Sequence, residues 1–285
     1  MPPTMPPLDI LLPAVVLPAL ASGLLLVAAW RPWRREHAGA GGTWGGAVGL
    51  GASILLSHGL MQGGWPGIVP PDQWQWLLHL VPVAMAVGIL DASRRWPEAL
   101  RWTVHLSLGA LTGWLLVGPW LGGFWLWRIA LGLNVVVLIR GLDAPLRRGG
   151  GPSLPLCLCV ASGGGSLLLV MSFNSRLALL GAALAACLAV AAALAWWRPA
   201  VSLGGGITVL AVALPGLLYS GCFETFSEIP RWTYVLVALS PLGVWAGELP
   251  PFKGWQRAMA RVVAVGVITA VAVAVAARTA GGNLQ

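Results

Sequence analysis

An all-α, polytopic integral membrane protein is predicted by three observations: composition, ten long apolar segments, and the side of those segments on which the cations fall. Hydrophobic residues make up 58% of the 285 positions and charged residues only 9%, with a mean hydropathy of +0.81. A soluble domain carries about 25% charged residues. A helix needs roughly 17–25 apolar residues to cross about 30 Å of hydrocarbon, and it satisfies its own backbone hydrogen bonds there. A strand barrel would need alternating polarity, which the segments lack.

The expected spans run in order along the chain. The first, Ile10 to Trp30, closes on Trp30-Arg31-Pro32. Met1 to Asp9 contains no Lys or Arg, whereas a cleavable leader has a basic start, so this helix is expected to be retained. Thr43 to Met61 follows, opened by Gly45 and Gly46, and the largest connection, Gln62 to Gln75, leads to Trp76 to Leu90. Trp102 to Gly118 and Phe124 to Ile139 are separated only by Leu121, Gly122 and Gly123, so this pair either crosses fully or forms a re-entrant hairpin. Leu154 to Phe173, Leu177 to Trp197, Val201 to Tyr219, Trp232 to Ala246 and Val262 to Ala277 complete the ten. The third, fifth and ninth are short for a straight crossing. Many of the tryptophans, Trp30, Trp76, Trp102, Trp125, Trp197 and Trp232 among them, fall at span ends, where an indole prefers the membrane interface.

Thirteen cations lie on odd-numbered connections: Arg31, Arg34, Arg35, Arg94, Arg95, Arg101, Arg140, Arg147, Arg148, Arg198, Lys253, Arg257 and Arg261. The other face has Arg128, Arg176, Arg231 and Arg278. Basic residues resist translocation, so the thirteen are expected in the cytoplasm and both termini outside. The net charge of +8 is thereby a topology signal, and no nucleic-acid partner is inferred. The lipid bilayer is the expected partner. The Ala, Gly, Arg and Trp bias suggests a GC-rich genome, and hence a bacterial cytoplasmic membrane.

An internal repeat is also expected. Glu98, Arg101, Trp102, Thr103 read E-x-x-R-W-T, as do Glu228, Arg231, Trp232, Thr233, 130 positions later. W-x4-P recurs in step at Trp114 and Pro119, then Trp245 and Pro250. Leu50-Gly51-Ala52 matches Leu180-Gly181-Ala182 at the same offset, and Ala21-Ser22-Gly23 resembles Ala161-Ser162-Gly163. The matches pair spans 2 with 7, 3 with 8, 4 with 9 and 1 with 6, which divides the chain into five-helix repeats at 1–150 and 151–285. Five is odd, so the second copy is inverted. Trp30-Arg31-Pro32 and Trp197-Arg198-Pro199 match out of step, which shows that interface chemistry can imitate ancestry.

Inverted repeats suit alternating access, and such carriers often break corresponding helices at the midplane to hold a solute. The corresponding interruptions here are Ser22-Gly23 and Ser162-Gly163-Gly164-Gly165-Ser166, and Asn134 is the polar group deepest in the fifth span. These eight residues form the expected substrate pathway, although small residues in a membrane also serve close helix packing. Asp91, Glu98, Asp143 and Glu248 map to the inner surface and Asp72, Glu224 and Glu228 to the outer, so no proton relay through midplane carboxylates is expected. Arg128 is expected to snorkel.

No catalytic residue, metal site or cofactor is assigned. His58 and His79 could be neighbours near the outer face but lack a third ligand, and Cys157, Cys159, Cys187 and Cys222 contain no CxxC spacing. Gly149-Gly150-Gly151 lacks the Lys and Ser or Thr of a phosphate loop. The leading expectation is a small permease or secondary transporter of a neutral or weakly polar solute. The alternatives are a non-transporting membrane subunit or assembly factor and a membrane-embedded enzyme.

Overall fold

A computed structural model of the protein describes residues 8–30, 43–93, 96–119, 123–148, 151–198, 203–224, 228–250 and 252–282. No strand occurs among them, and the helices fall into ten segments. Helix α1 comprises Leu8–Leu11, a π-helical turn Leu12–Val16, and Leu17–Trp30. The others are α2 (Gly45–Gln62), α3 (Trp76–Ser93, preceded by the turn Gln73–Gln75), α4 (Glu98–Leu116), α5 (Phe124–Arg147), α6 (Ser153–Met171), α7 (Ser175–Trp197), α8 (Gly206–Glu224), α9 (Arg231–Leu239, continued by the 3-10 helix Ser240–Glu248) and α10 (Trp255–Gly282). Among the described residues, seven stretches are long and apolar enough to cross a membrane: Leu12–Trp30, Gln73–Ser93, Phe124–Arg147, Ser153–Met171, Ser175–Trp197, Gly206–Glu224 and Trp255–Ala280. The chain thus has the make-up of a polytopic integral membrane protein.

Two of the spans expected to be short are not. The third reaches 21 residues over Gln73–Ser93, and the fifth reaches 24 over Phe124–Arg147. Both continue past their apolar part because the polar residues at their ends, Asp91 on α3 and Arg140, Asp143 and Arg147 on α5, are ion-paired. The ninth gains length differently. Its last nine residues are a 3-10 helix, which rises about 2.0 Å per residue against about 1.5 Å in an α-helix, so α9 spans roughly 30 Å with its eighteen residues. Helices α4 and α5 are continuous over 19 and 24 residues, about 28 and 36 Å, the reach of a full crossing.

Helix α8 is the centre of the bundle. Every residue from Gly206 to Cys222 is buried, and α2, α3, α4, α5, α6, α7 and α9 all pack against it. Its approach to α2 and α3 is set by glycine. A Cβ at Gly46 would overlap the Leu203 carbonyl, and one at Gly88 would overlap the Gly205 carbonyl. That proximity lets the Gly205 N–H donate to the Thr43 carbonyl at 3.1 Å. Helices α4 and α5 touch backbone to backbone in the same way at Gly109 and Gly132.

The π-turn of α1 has a local cause. Pro18 has no N–H to offer the Ala14 carbonyl four residues before it, and Ser57 of α2 donates its hydroxyl to that oxygen at 2.5 Å. In a membrane no water is present to do this.

Candidate functional site

The expected pathway residues do not converge on one place. Ser22 and Gly23 sit where α1 packs on α7: Ser22 adjoins the Cys187 thiol and a Cβ at Gly23 would press on Val190. On α6, a Cβ at Gly164 would overlap Thr269 of α10, one at Gly165 would touch Leu214 and Leu218 of α8, and Gly163 faces open space. Ser162 is fully buried, and Ser166 donates to the Ala178 carbonyl of α7 at 2.7 Å. Helix α7 therefore lies between the two serine-glycine stretches, which the sequence reading brought together. Asn134 is buried on α5, beside Tyr219 of α8.

What the fold does bring together is an ionic cluster, buried at His105 and open to the outside at Glu98, at the ends of α3, α4, α5 and α8. His105 has no exposed surface, and its Nε2 lies 2.7 Å from Asp91 Oδ2. A carboxylate can only accept, so Nε2–H donates, and the remaining ring nitrogen is Nδ1. That nitrogen is buried without a hydrogen-bond partner among the described residues. Thr208 Oγ1 donates to the same Asp91 oxygen at 3.3 Å, and Arg101 Nε donates to the other at 3.3 Å. Arg101 also lies 3.3 Å from Glu98 and 3.7 Å from Asp143. Arg140 donates to Glu98 at 2.7 Å, with its guanidinium 3.9 Å over the Trp102 ring. Burial of an unpaired charge would be very costly. Here each charge has an opposite neighbour.

Beside this cluster lies a cavity of about 40 Å³ lined by Thr43, Asp91, Arg101, Asp143, Gly204 and Thr208 among others. It has room for one or two waters. The sequence reading placed Asp91 at the inner surface, but its side chain is only 10% exposed. The pairing with His105 escaped it because the two are 14 residues apart on different helices. A short inner connection between spans that end and begin with polar residues is the signal that could have found it.

A second network ties α5, α6, α9 and α10 together on the same face. Arg261, 2% exposed, pairs with Glu248 and donates to Ser153 Oγ at 3.0 Å, while Arg148 reaches Glu248 at 3.2 Å. Burial alone would raise the Glu248 carboxyl, but hydrogen bonds from Arg261 and Arg148 hold it below its ordinary value. The connections after α3, α5 and α9 therefore share one face. Arg231, 5.8 Å over Trp127, lies at the other end of α5. Near that end, His58 packs edge-on to Trp74 and His79 packs against Trp65 and Trp76, so each histidine has its own aromatic neighbour.

Fold and site together define an all-helical protein of membrane make-up with an ion-paired cluster at one end of its bundle. Comparison with known protein families, with curated proteins and with solved structures finds no match for this chain.

Proposed function

We propose that the chain is a small permease or secondary carrier of a neutral or weakly polar solute, with ten crossings arranged as inverted five-helix repeats at 1–150 and 151–285. Both termini lie outside a bacterial cytoplasmic membrane. The observation that carries this reading is the Asp91–His105 pair beside a cavity, because ionisable groups among membrane-spanning helices are costly and tend to mark substrate or ion pathways. The proposed path runs past this pair at one end of the bundle, rather than past a midplane carboxylate.

Two features support the repeat. Counterpart helices pack on each other, α2 on α7 and α3 on α8. At the α2–α7 crossing, Ser53 Oγ donates to the Ala183 carbonyl at 2.9 Å, 130 positions away, the offset of the sequence matches. Helices α3 and α8 also each contain an internal proline, Pro82 and Pro215. The packing of α10 along α6 has no α5–α1 equivalent among the described residues, so any symmetry is incomplete.

The test is uptake of a panel of radiolabelled uncharged solutes into proteoliposomes. Uptake of at least one solute, abolished in Asp91→Asn and His105→Gln, is expected. The second reading, a non-transporting membrane subunit, is favoured by the tight packing at Gly23, Gly164 and Gly165. Absence of flux for every solute, together with a stoichiometric membrane-protein partner in mild detergent, would establish it instead.

A further inference from the structure

At the end of α5 opposite the ionic networks, Arg128 stands apart from the other described arginines of the α4–α5 hairpin. Arg101, Arg140 and Arg147 all pair with carboxylates, whereas Arg128 has no carboxylate within salt-bridge distance among the described residues. Its Nε donates to the Val117 carbonyl at 3.0 Å, which fixes the direction of the guanidinium. The group lies 4.2 Å over the Trp114 ring, 4.9 Å from Phe124 and 5.2 Å from Trp125. Those rings attract the cation but leave its charge uncompensated.

Below Arg128 runs a groove of about 260 Å³ between α4 and α5, lined by Leu106, Ala110, Trp114, Ile129, Leu133 and Val136 among others. It exists because Gly109, Gly113 and Gly132 draw the two helices into backbone contact, while Trp114, Trp125 and Leu133 stand exposed at its edges. A fixed cation at the interface above an apolar channel is complementary to one kind of molecule, an anion with a hydrocarbon tail. We infer that this groove is a phospholipid site, with the phosphodiester on the Arg128 guanidinium between Trp114 and Trp125 and one acyl chain along Ala110, Ile129 and Leu133. Arginine suits this because its planar fork binds phosphate oxygens bidentately. The site lies in the leaflet opposite the Asp91–His105 cluster and does not depend on the transport reading.

Native mass spectrometry of the full chain, titrated with phosphatidylglycerol and separately with diacylglycerol, tests this. One phosphatidylglycerol should be retained per chain, and diacylglycerol should bind at least about tenfold more weakly, as expected on loss of a charge-assisted contact. Arg128→Gln should weaken phosphatidylglycerol by a similar factor. Ala110→Trp, which fills the groove, should abolish retention, and Arg176→Gln, an exposed cation at the start of α7, should leave it unchanged. A thermal melt checks that each variant is folded; should Ala110→Trp fail to fold, Arg128→Gln decides. The site is overturned by equal binding of the two lipids, by equal losses in Arg128→Gln and Arg176→Gln, or by occupation of the groove by a second copy, seen as a dimer that excludes lipid.

Discussion

The glycine run of α6 and the ionic cluster at Asp91 are two ways a membrane bundle interrupts its apolar content, and they have opposite consequences. At Gly164 and Gly165 the missing side chains are replaced by Thr269, Leu214 and Leu218 from neighbouring helices, so the interruption is filled with apolar atoms and closes. At Asp91, Arg101, His105 and Thr208 the inserted groups are polar, three of them converge on the Asp91 carboxylate, and a cavity remains beside them. Small residues by themselves indicate proximity of helices. Chemistry resides where the cost of burying charge has been met.

The largest effect expected from breaking this contrast is on the charged side. Arg261→Met would leave Glu248, 5% exposed, without its closest counter-charge. Removing one partner of a buried pair costs about 3–5 kcal/mol; Arg148 still reaches Glu248, so chemical unfolding in bicelles should show a loss toward the lower end of that range. The matched pair Arg261→Met with Glu248→Gln should recover much of it.

Next in size is a pair of substitutions within the glycine run. Gly164→Leu collides with Thr269 and should cost about 1–3 kcal/mol or more, while Gly163→Leu, which meets nothing within 4 Å, should be close to neutral. Loss of flux in Gly164→Leu would thus report on packing. Retained flux in Gly163→Leu would show that the run is no pathway, and a selective loss of flux in a stable Gly163→Leu protein would restore it as one.

A smaller loss, about 1 kcal/mol, is expected for Ser57→Ala, which leaves the Ala14 carbonyl without the hydrogen bond that stands in for Pro18. Amide exchange in α1 should rise with it. The smallest effect concerns pH. Since the folded Glu248 carboxyl is held below its ordinary value, its contribution is fully present above the unfolded carboxylate value of about 4.3. It is lost as pH falls through the lower folded value. A melting temperature flat from pH 8 to 5 that declines in the acid limb, with a shallower decline in Glu248→Gln, is the expected profile.

Much of the helical layout was legible because a membrane helix must be apolar over a long stretch, and each of the ten segments overlaps one observed helical segment, although the eighth, expected from Val201, begins outside the described residues and its helix runs instead from Gly206 to Glu224. Helix ends were less legible. The extension of α3 to Ser93 and of α5 to Arg147 depends on partners contributed by other helices, Arg101 for Asp91 and Glu98 for Arg140. The site was less legible still. Asp91 and His105 lie on successive helices joined by a short connection, but only the approach of α3 to α8 through Gly88 and Gly205 brings Thr208 onto that carboxylate. The glycine triplet drew attention because it is conspicuous in the chain, whereas its neighbours on α8 and α10 were not visible there.

The most direct test uses accessibility, which needs no knowledge of the solute. With the four native cysteines replaced, Thr208→Cys and Ser162→Cys are each exposed in sealed vesicles to a small membrane-impermeant thiosulfonate from one side at a time. The account predicts that Thr208→Cys reacts from the cytoplasmic face, with protection by a transported solute, and that Ser162→Cys reacts from neither. Reaction at Ser162→Cys with silence at Thr208→Cys would contradict it and return the pathway to the glycine run.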